Sequence, residues 1–300
     1  MLENKRIIKL LRRAKLLKDA PAAQPKDLFE VNYEAIREPK KPVGIGYNPT
    51  VIENIISGLQ GHGYTVEDYA IDIAGYRDYY TQAAYDQKYP NYYRPVIWEK
   101  SLEHYIAAQL LALQPDDVYI DIASEGSPVP EIYSRLYGSN SYRQDMIYPA
   151  GLNDHMIGGD AGDMPVPDGF ASKMALHCSF EHFEGDADMR FFREIGRVLR
   201  PGGAVCIVPF YLFDQYAILT DPEVSVPQGV PFESDAVVYC RRGWNNRHGR
   251  FYNPDNVIKR LSNNLNGLTM KIYKITNAKE ADPRCYAEFA ALITKPAGTA

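Results

Sequence analysis

The sequence predicts an α/β protein with a mostly parallel sheet and helices on both faces. Three observations carry this. Asp117 to Gly138 reads as a strand, a small-residue loop and a helix; a second acid-tipped strand follows at Ser141 to Asp145; and Ser172 to Val208 alternates again as strand, helix and strand. The chain has 300 residues, enough for one or two domains, and its 45% hydrophobic content suffices for a sizeable core.

Composition excludes several classes. No apolar run approaches the ~18 residues of a membrane helix, and Lys and Arg break up the N-terminal apolar residues, so no secretory leader is expected. A mean hydropathy of -0.35 reads as soluble. Cys178, Cys206, Cys240 and Cys285 are far apart without a C-x-x-C pair, which points to neither zinc nor a disulfide framework; a reducing, cytoplasmic setting is expected. The net charge of -5 gives no reason to expect nucleic-acid binding.

Taken in order, residues 5–18 form a basic segment with Ile7, Leu10, Leu11, Ala14 and Leu17 on one helical stripe. Such a stripe could lie on an anionic membrane face, at the inner membrane surface, or pack on its own domain. Residues 20–25 read as a linker, which sets a first segment at 1–25. Residues 26–97 are expected to form a tyrosine-rich cap over the site, carrying Tyr47, Tyr64, Tyr69, Tyr76, Tyr79, Tyr80, Tyr85, Tyr89, Tyr92 and Tyr93. Each ring offers a flat apolar face with a hydroxyl tip, suited to a ring-bearing ligand or a sugar and equally to packing a helical subdomain. Trp98 to Leu113 has helical spacing at Leu102, Tyr105, Ile106, Gln109, Leu110 and Leu113 and opens the core region 98–300.

In the first βα unit, Val118, Tyr119, Ile120 and Ile122 make the strand, Asp121 sits at its tip, and Ala123-Ser124-Glu125-Gly126-Ser127 form the turn. Ile132, Leu136 and Tyr137 then keep helical spacing up to Gly138. Asp145 lies 24 residues beyond Asp121, where dinucleotide-binding units place a carboxylate that accepts two hydrogen bonds from a ribose diol. Met156 and Ile157 lead a third strand to Gly158-Gly159-Asp160-Ala161, where an acid followed by a backbone N–H could read an adenine edge. The fourth strand ends at His177-Cys178-Ser179-Phe180-Glu181-His182. A helix from Asp186 through Leu199 stops at Arg200-Pro201-Gly202-Gly203, and Ala204 to Val208 is the fifth strand.

An insertion at 209–252 follows, with Phe210, Tyr211, Phe213 and Tyr216 and then a cationic cluster of Arg241, Arg242, Trp244, Arg247, His248, Arg250 and Phe251. Forked arginines of this kind suit a phosphate or carboxylate; the competing reading pairs them with neighbouring acids such as Glu233 and Asp235. Asn253-Pro254 starts a helix with Val257, Ile258, Leu261 and Leu265 on its stripe, and Leu268 to Thr276 and Tyr286 to Thr294 are the closing strands.

The span from Val118 to Val208 resembles the class I S-adenosylmethionine-dependent methyltransferases of the type 11 kind. The resemblance rests on VYIDIASEG, YRQD, GDAGDMPVPDGF, HCSFEHF and FFREIGRVLRPGGAVCIVPF. It implies a Rossmann-like, seven-stranded, mostly parallel sheet closed by an antiparallel C-terminal hairpin. It also implies S-adenosyl-L-methionine as cofactor and S-adenosyl-L-homocysteine as product. The cofactor would be held by Asp121, Ala123, Ser124, Glu125, Gly126, Asp145, Met146, Asp160 and Ala161, with His177 and Cys178 bordering its methionine part. The family's first loop usually carries two or three glycines, whereas here Gly126 is the lone one within Ala123 to Ser127.

His182, His177 and Glu181 are the candidates for catalysis, since an oxygen acceptor must lose its proton beside the methyl group. The same trio could be read as metal ligands, but no further ligand cluster accompanies it and no metal is expected. Tyr211, Arg241, Trp244, Arg247 and His248 are candidates for acceptor binding. The N/D-P-P-Y/F/W tetrapeptide that the family uses on amino groups of adenine or glutamine is absent after the fourth strand. The expected acceptor is therefore an oxygen of a small polar or sugar-like molecule, possible sources including a polysaccharide or glycolipid precursor. An NAD-dependent oxidoreductase and a cofactor-binding protein without turnover stand as alternatives.

Overall fold

The computed structural model describes residues 47–298. The basic stripe at 5–18, the linker and the first part of the cap lie outside them. In chain order the elements are α1 (Pro49–Gly61), β1 (Val66–Tyr69), α2 (Ile73–Ala83), a short turn of helix at Tyr85–Lys88, α3 (Ile97–Leu111), β2 (Val118–Ile122), α4 (Val129–Tyr137), β3 (Asn140–Asp145), β4 (Gly151–Asn153), β5 (Met156–Gly158), β6 (Ala171–His177), α5 (Ala187–Val198), β7 (Leu199–Val208), β8 (Ala217–Thr220), α6 (Pro222–Gln228), β9 (Val237–Cys240), β10 (Gly249–Phe251), β11 (Thr269–Ile275) and β12 (Phe289–Thr294).

Nine strands form one sheet in the order β1-β11-β12-β7-β6-β2-β3-β5-β4. All are parallel except β12, reversed against both neighbours, and β4, reversed at one edge. The expected seven strands are present. The two additions are edge strands: β4, and β1, which pairs in parallel with β11 through Val66↔Ile272 to Tyr69↔Ile275. Neither was legible, because each is too short to show an alternating pattern.

The sheet separates two apolar layers. Val51, Ile55 and Leu59 of α1, Phe191, Phe192 and Ile195 of α5, and Val257 and Leu261 cover one face of the sheet. Tyr76 and Tyr79 of α2, Leu102 and Ile106 of α3, and Ile132 and Tyr133 of α4 cover the other. The tyrosine-rich stretch is thus built partly into the body of the protein: β1 joins the sheet, and Tyr76, Tyr79 and Tyr85 are buried.

Local chemistry sets the element ends. Asn48 caps α1 by accepting from the Val51 amide at 3.0 Å, and Gly138 closes α4 in the left-handed region at φ 76°. The helix expected after Asn253 is broken into a first turn at Pro254–Asn256, a π-helical turn at Val257–Leu261 and a tight turn at Ser262–Asn264. Within the insertion, β8, β9 and β10 form a second sheet in the order β10-β8-β9.

Among the described residues no helix is long and apolar enough to cross a membrane.

Candidate active site

The carboxyl ends of β2, β3, β5, β6 and β7 lie side by side, because those strands are parallel neighbours. This brings Asp121, Asp145 and Asp160 to one edge of the sheet, as an adenosine-bearing ligand requires. Their states differ.

Asp121 is 1% exposed. Its Oδ1 accepts from the Tyr119 hydroxyl at 3.4 Å and lies 3.7 Å from His177 Nε2, while Oδ2 has no hydrogen-bond partner among the described residues. Burial pushes its pKa up to about 7, tempered by the nearby Ser127 hydroxyl and Arg143. A buried carboxylate oxygen left without a donor is a place for a ligand cation.

The loop after β2 is tied down through its amides. Ala123 donates to Gln144 Oε1 at 3.2 Å, Ser124 to the Gln144 carbonyl at 3.0 Å, Glu125 to Asp145 Oδ2 at 2.8 Å, and Gly126 to the Tyr148 hydroxyl at 3.0 Å. Ala123, Glu125 and Gly126 all have positive φ, at 52°, 39° and 80°. The turn is the tight left-handed one that favours glycine, made here by alanine and glutamate at some cost in strain.

Asp145 also accepts from the Ile147 amide at 3.1 Å, and burial raises its pKa. Asp160 is engaged within the chain: Oδ1 accepts from the Gly162 amide at 2.7 Å and Oδ2 from Arg190 at 2.6 Å. A nucleoside reaching these two acids would share Asp145 with the loop amide and compete with Arg190 for Asp160. Ala161 is buried beside it, and Met146 is 61% exposed.

At the tip of β6, His177 Nε2 meets the Tyr119 hydroxyl at 3.1 Å and Nδ1 has no partner. Burial drives its pKa down to about 3. It therefore stays neutral and is too weak a base to take a proton near neutral pH, which corrects its place among the candidate bases. Cys178 follows at φ 49°, with Sγ donating to Glu181 Oε1 at 3.1 Å and lying 3.3 Å from the Tyr211 hydroxyl. His182 is exposed; its Nδ1 contacts the His248 carbonyl at 2.5 Å, so that Nε2, 3.5 Å from Glu181 Oε1, is the ring nitrogen open to a proton. Glu181 is buried with Oε2 unpartnered.

Three of the four arginines of the insertion pair with acids of the chain. Arg242 pairs with Glu223 at 2.9 Å, Arg247 with Glu184 at 2.6 Å, and Arg250, fully buried, with Asp188 at 3.1 Å and with Glu233. Arg260 joins them, 2.8 Å from Asp188. Arg247, through Glu184, and Arg250, through the Phe183 and Gly185 carbonyls, hold the insertion onto the loop after β6, while Arg242 pairs within the insertion. Arg241 is exposed, Trp244 lies beside the His182 ring at 6.1 Å, and His248 is buried against Phe232 with Nδ1 on the Glu181 carbonyl at 3.1 Å. Of the five acceptor-binding candidates, Tyr211 alone reaches Cys178.

A group absent from the sequence reading completes the site. On α3, Glu99, Lys100, Glu103 and His104 are all buried. Lys100 Nζ donates to Glu103 Oε2 at 3.0 Å, and Glu103 Oε1 has no partner. Burial pushes Glu103 up to about 8 and Glu99 to about 7, and burial with the neighbouring His177 and Lys100 holds His104 well below the usual histidine range. Cys178 Sγ ties this group to the tip of β6, lying 3.1 Å from Glu181 Oε1 and 3.3 Å from the Tyr211 hydroxyl. Among the described residues no cluster suited to a metal ion occurs.

Residues 139–207 match the family model described as a methyltransferase domain. No curated protein matches the sequence. Among solved structures, the chain is similar to the Burkholderia thailandensis 1,6-didemethyltoxoflavin-N1-methyltransferase, at 11% identity and TM-score 0.46, over 77% of this chain and 93% of that one. It is also similar to human N-acetylserotonin methyltransferase, at 15% identity and TM-score 0.40, over 82% of this chain and 64% of that one.

Proposed function

From the methyltransferase domain that residues 139–207 carry, we propose that this chain transfers a methyl group from S-adenosylmethionine to an oxygen of a small polar or sugar-like acceptor. The observation that carries the reading is the alignment of Asp121, Asp145 and Asp160 on adjacent parallel strand tips, with Asp121 Oδ2 buried and unpartnered. Bound there, the cofactor supplies an electrophilic methyl group for in-line displacement, so the protein's task is alignment.

In this reading Asp121 holds the donor's ammonium group, and Asp145 its ribose diol. Asp160 and Ala161 stand where the adenine would be read, once Arg190 yields the carboxylate. The loop from Ala123 to Gly126 and the segment His177 to Cys178 border the methionine part. His182 Nε2 takes the proton that an acceptor hydroxyl loses, and Glu181, 3.5 Å away, stabilises the imidazolium that results.

Calorimetric titration with S-adenosylhomocysteine tests the reading. The wild type is expected to bind, and Asp121→Asn to bind about tenfold or more weakly, since an amide places a donor where the ligand brings donors. Wild-type protein that gives no binding heat and no change in melting temperature would remove the proposal. His182→Gln is expected to retain the cofactor and lose about 10²- to 10⁴-fold in kcat.

A further inference from the structure

We propose that the buried polar face of α3, closed by Glu181, Tyr211 and Tyr93, is the acceptor subsite and that it holds a basic amine of the acceptor as its ammonium. The inference rests on the methyl-transfer reading and names the substrate class for it: a polar molecule with a hydroxyl to be methylated and an amine as its anchor.

Unpaired buried acceptors lie on and beside α3. Among the described residues, Glu103 Oε1 and Glu181 Oε2 are buried oxygens with no hydrogen-bond partner. Glu103 is 0% and Glu181 6% exposed, so bulk solvent does not satisfy them. Lys100 is the nearby cation, and it is already committed to Glu103 Oε2 at 3.0 Å. What these two oxygens lack is donors. An ammonium brings three N–H groups and replaces the proton that burial keeps on Glu103 near neutral pH, a lone hydroxyl brings one donor, and a carboxylate brings none.

The mouth of the cluster supports the same class. Tyr93 is 46% exposed and held at φ 40°, and its ring lies over Lys100 Nζ with 5.4 Å to the centroid. An aromatic face that already covers one cation is suited to receive a second on its way to the acids. The Tyr211 hydroxyl, 3.3 Å from Cys178 Sγ, links the subsite to the tip of β6 where the methyl group would be presented.

The test is the melting temperature of the full chain, measured with and without saturating S-adenosylhomocysteine at matched ionic strength. Glucosamine and propylamine are the probes, and N-acetylglucosamine is the control that keeps the sugar hydroxyls but has no basic amine. Both amines are expected to raise the melting temperature by about 2 °C or more, and N-acetylglucosamine to leave it unchanged. Glu103→Gln, which keeps the shape of the side chain, is expected to abolish the amine response while preserving the response to S-adenosylhomocysteine. The inference is overturned if neither amine shifts the transition, if the acetylated sugar matches the amines, or if Glu103→Gln responds as wild type. An amine response in protein that ignores S-adenosylhomocysteine would keep the subsite and discard the methyl donor.

Discussion

Ala123 and Glu125 show how a single residue can depart from expectation while the backbone does not. Both sit in the left-handed region, at φ 52° and 39°, so the loop keeps its turn without the usual glycines. A side chain in that region costs roughly 1–2 kcal/mol, and glycine returns roughly 0.5–1 kcal/mol of that through its greater freedom in the unfolded chain. Ala123→Gly is therefore expected to leave stability level or slightly improved in urea unfolding. Gly126→Ala, at φ 80° with no atom within 4 Å of the added carbon, should lose about 1 kcal/mol from strain alone. The three acids were legible as residues because each stands at or just beyond the end of a short predicted strand. Their occupancy was not, since the partners of Asp160 and Asp145 lie on α5 and on the preceding loop, and pairing across the fold leaves no local pattern.

On the scale of elements, α3 is the instructive case. Its apolar spacing at Leu102, Tyr105 and Ile106 is correct, yet Gln109 is exposed while Glu99, Lys100, Glu103 and His104 are buried. Charged positions on a helix read as a solvated face; here Tyr85 and Tyr92 meet His104, Tyr93 meets Lys100 and the Tyr286 amide meets Glu99. Tyr85 meets His104 Nδ1 at 2.7 Å, so the tyrosine richness of the preceding region was the available signal. The insertion reverses the error. Four arginines read as a receptor because sequence shows charge without showing counter-charge. Asp188, 0% exposed, receives Arg250, Arg260 and the Tyr252 hydroxyl, the last at 2.7 Å. Asp188→Asn should cost about 3 kcal/mol in urea unfolding, because it leaves two buried cations with Glu233 as their shared acid.

For the molecule as a whole, the buried acids and histidines set a pH profile. Glu103, Glu99 and Asp121 are raised to about 8, 7 and 7, so the folded state binds protons that the unfolded chain has released. Their contribution is fully present below about pH 4 and is lost as pH rises toward those values. His177, lowered to about 3, acts in the other direction: its contribution is present above the ordinary histidine pKa and is lost as pH falls toward 3. Melting temperature measured across pH should peak in the mildly acidic range and decline toward pH 8, and Glu103→Gln should flatten the alkaline decline. Loss of stability that instead grew from pH 8 down to pH 6 would contradict this assignment.

The pairing of β1 with β11 has a bearing on how the chain is made. Ile71 just beyond β1 donates to Asn277 just beyond β11, 206 residues away. At roughly 5–20 residues per second, ribosomal synthesis leaves the earlier strand without its neighbour for about 10–40 s. During that wait α1 and β1 have no sheet to lean on, so this early segment is where a chaperone holding the emerging polypeptide would be found.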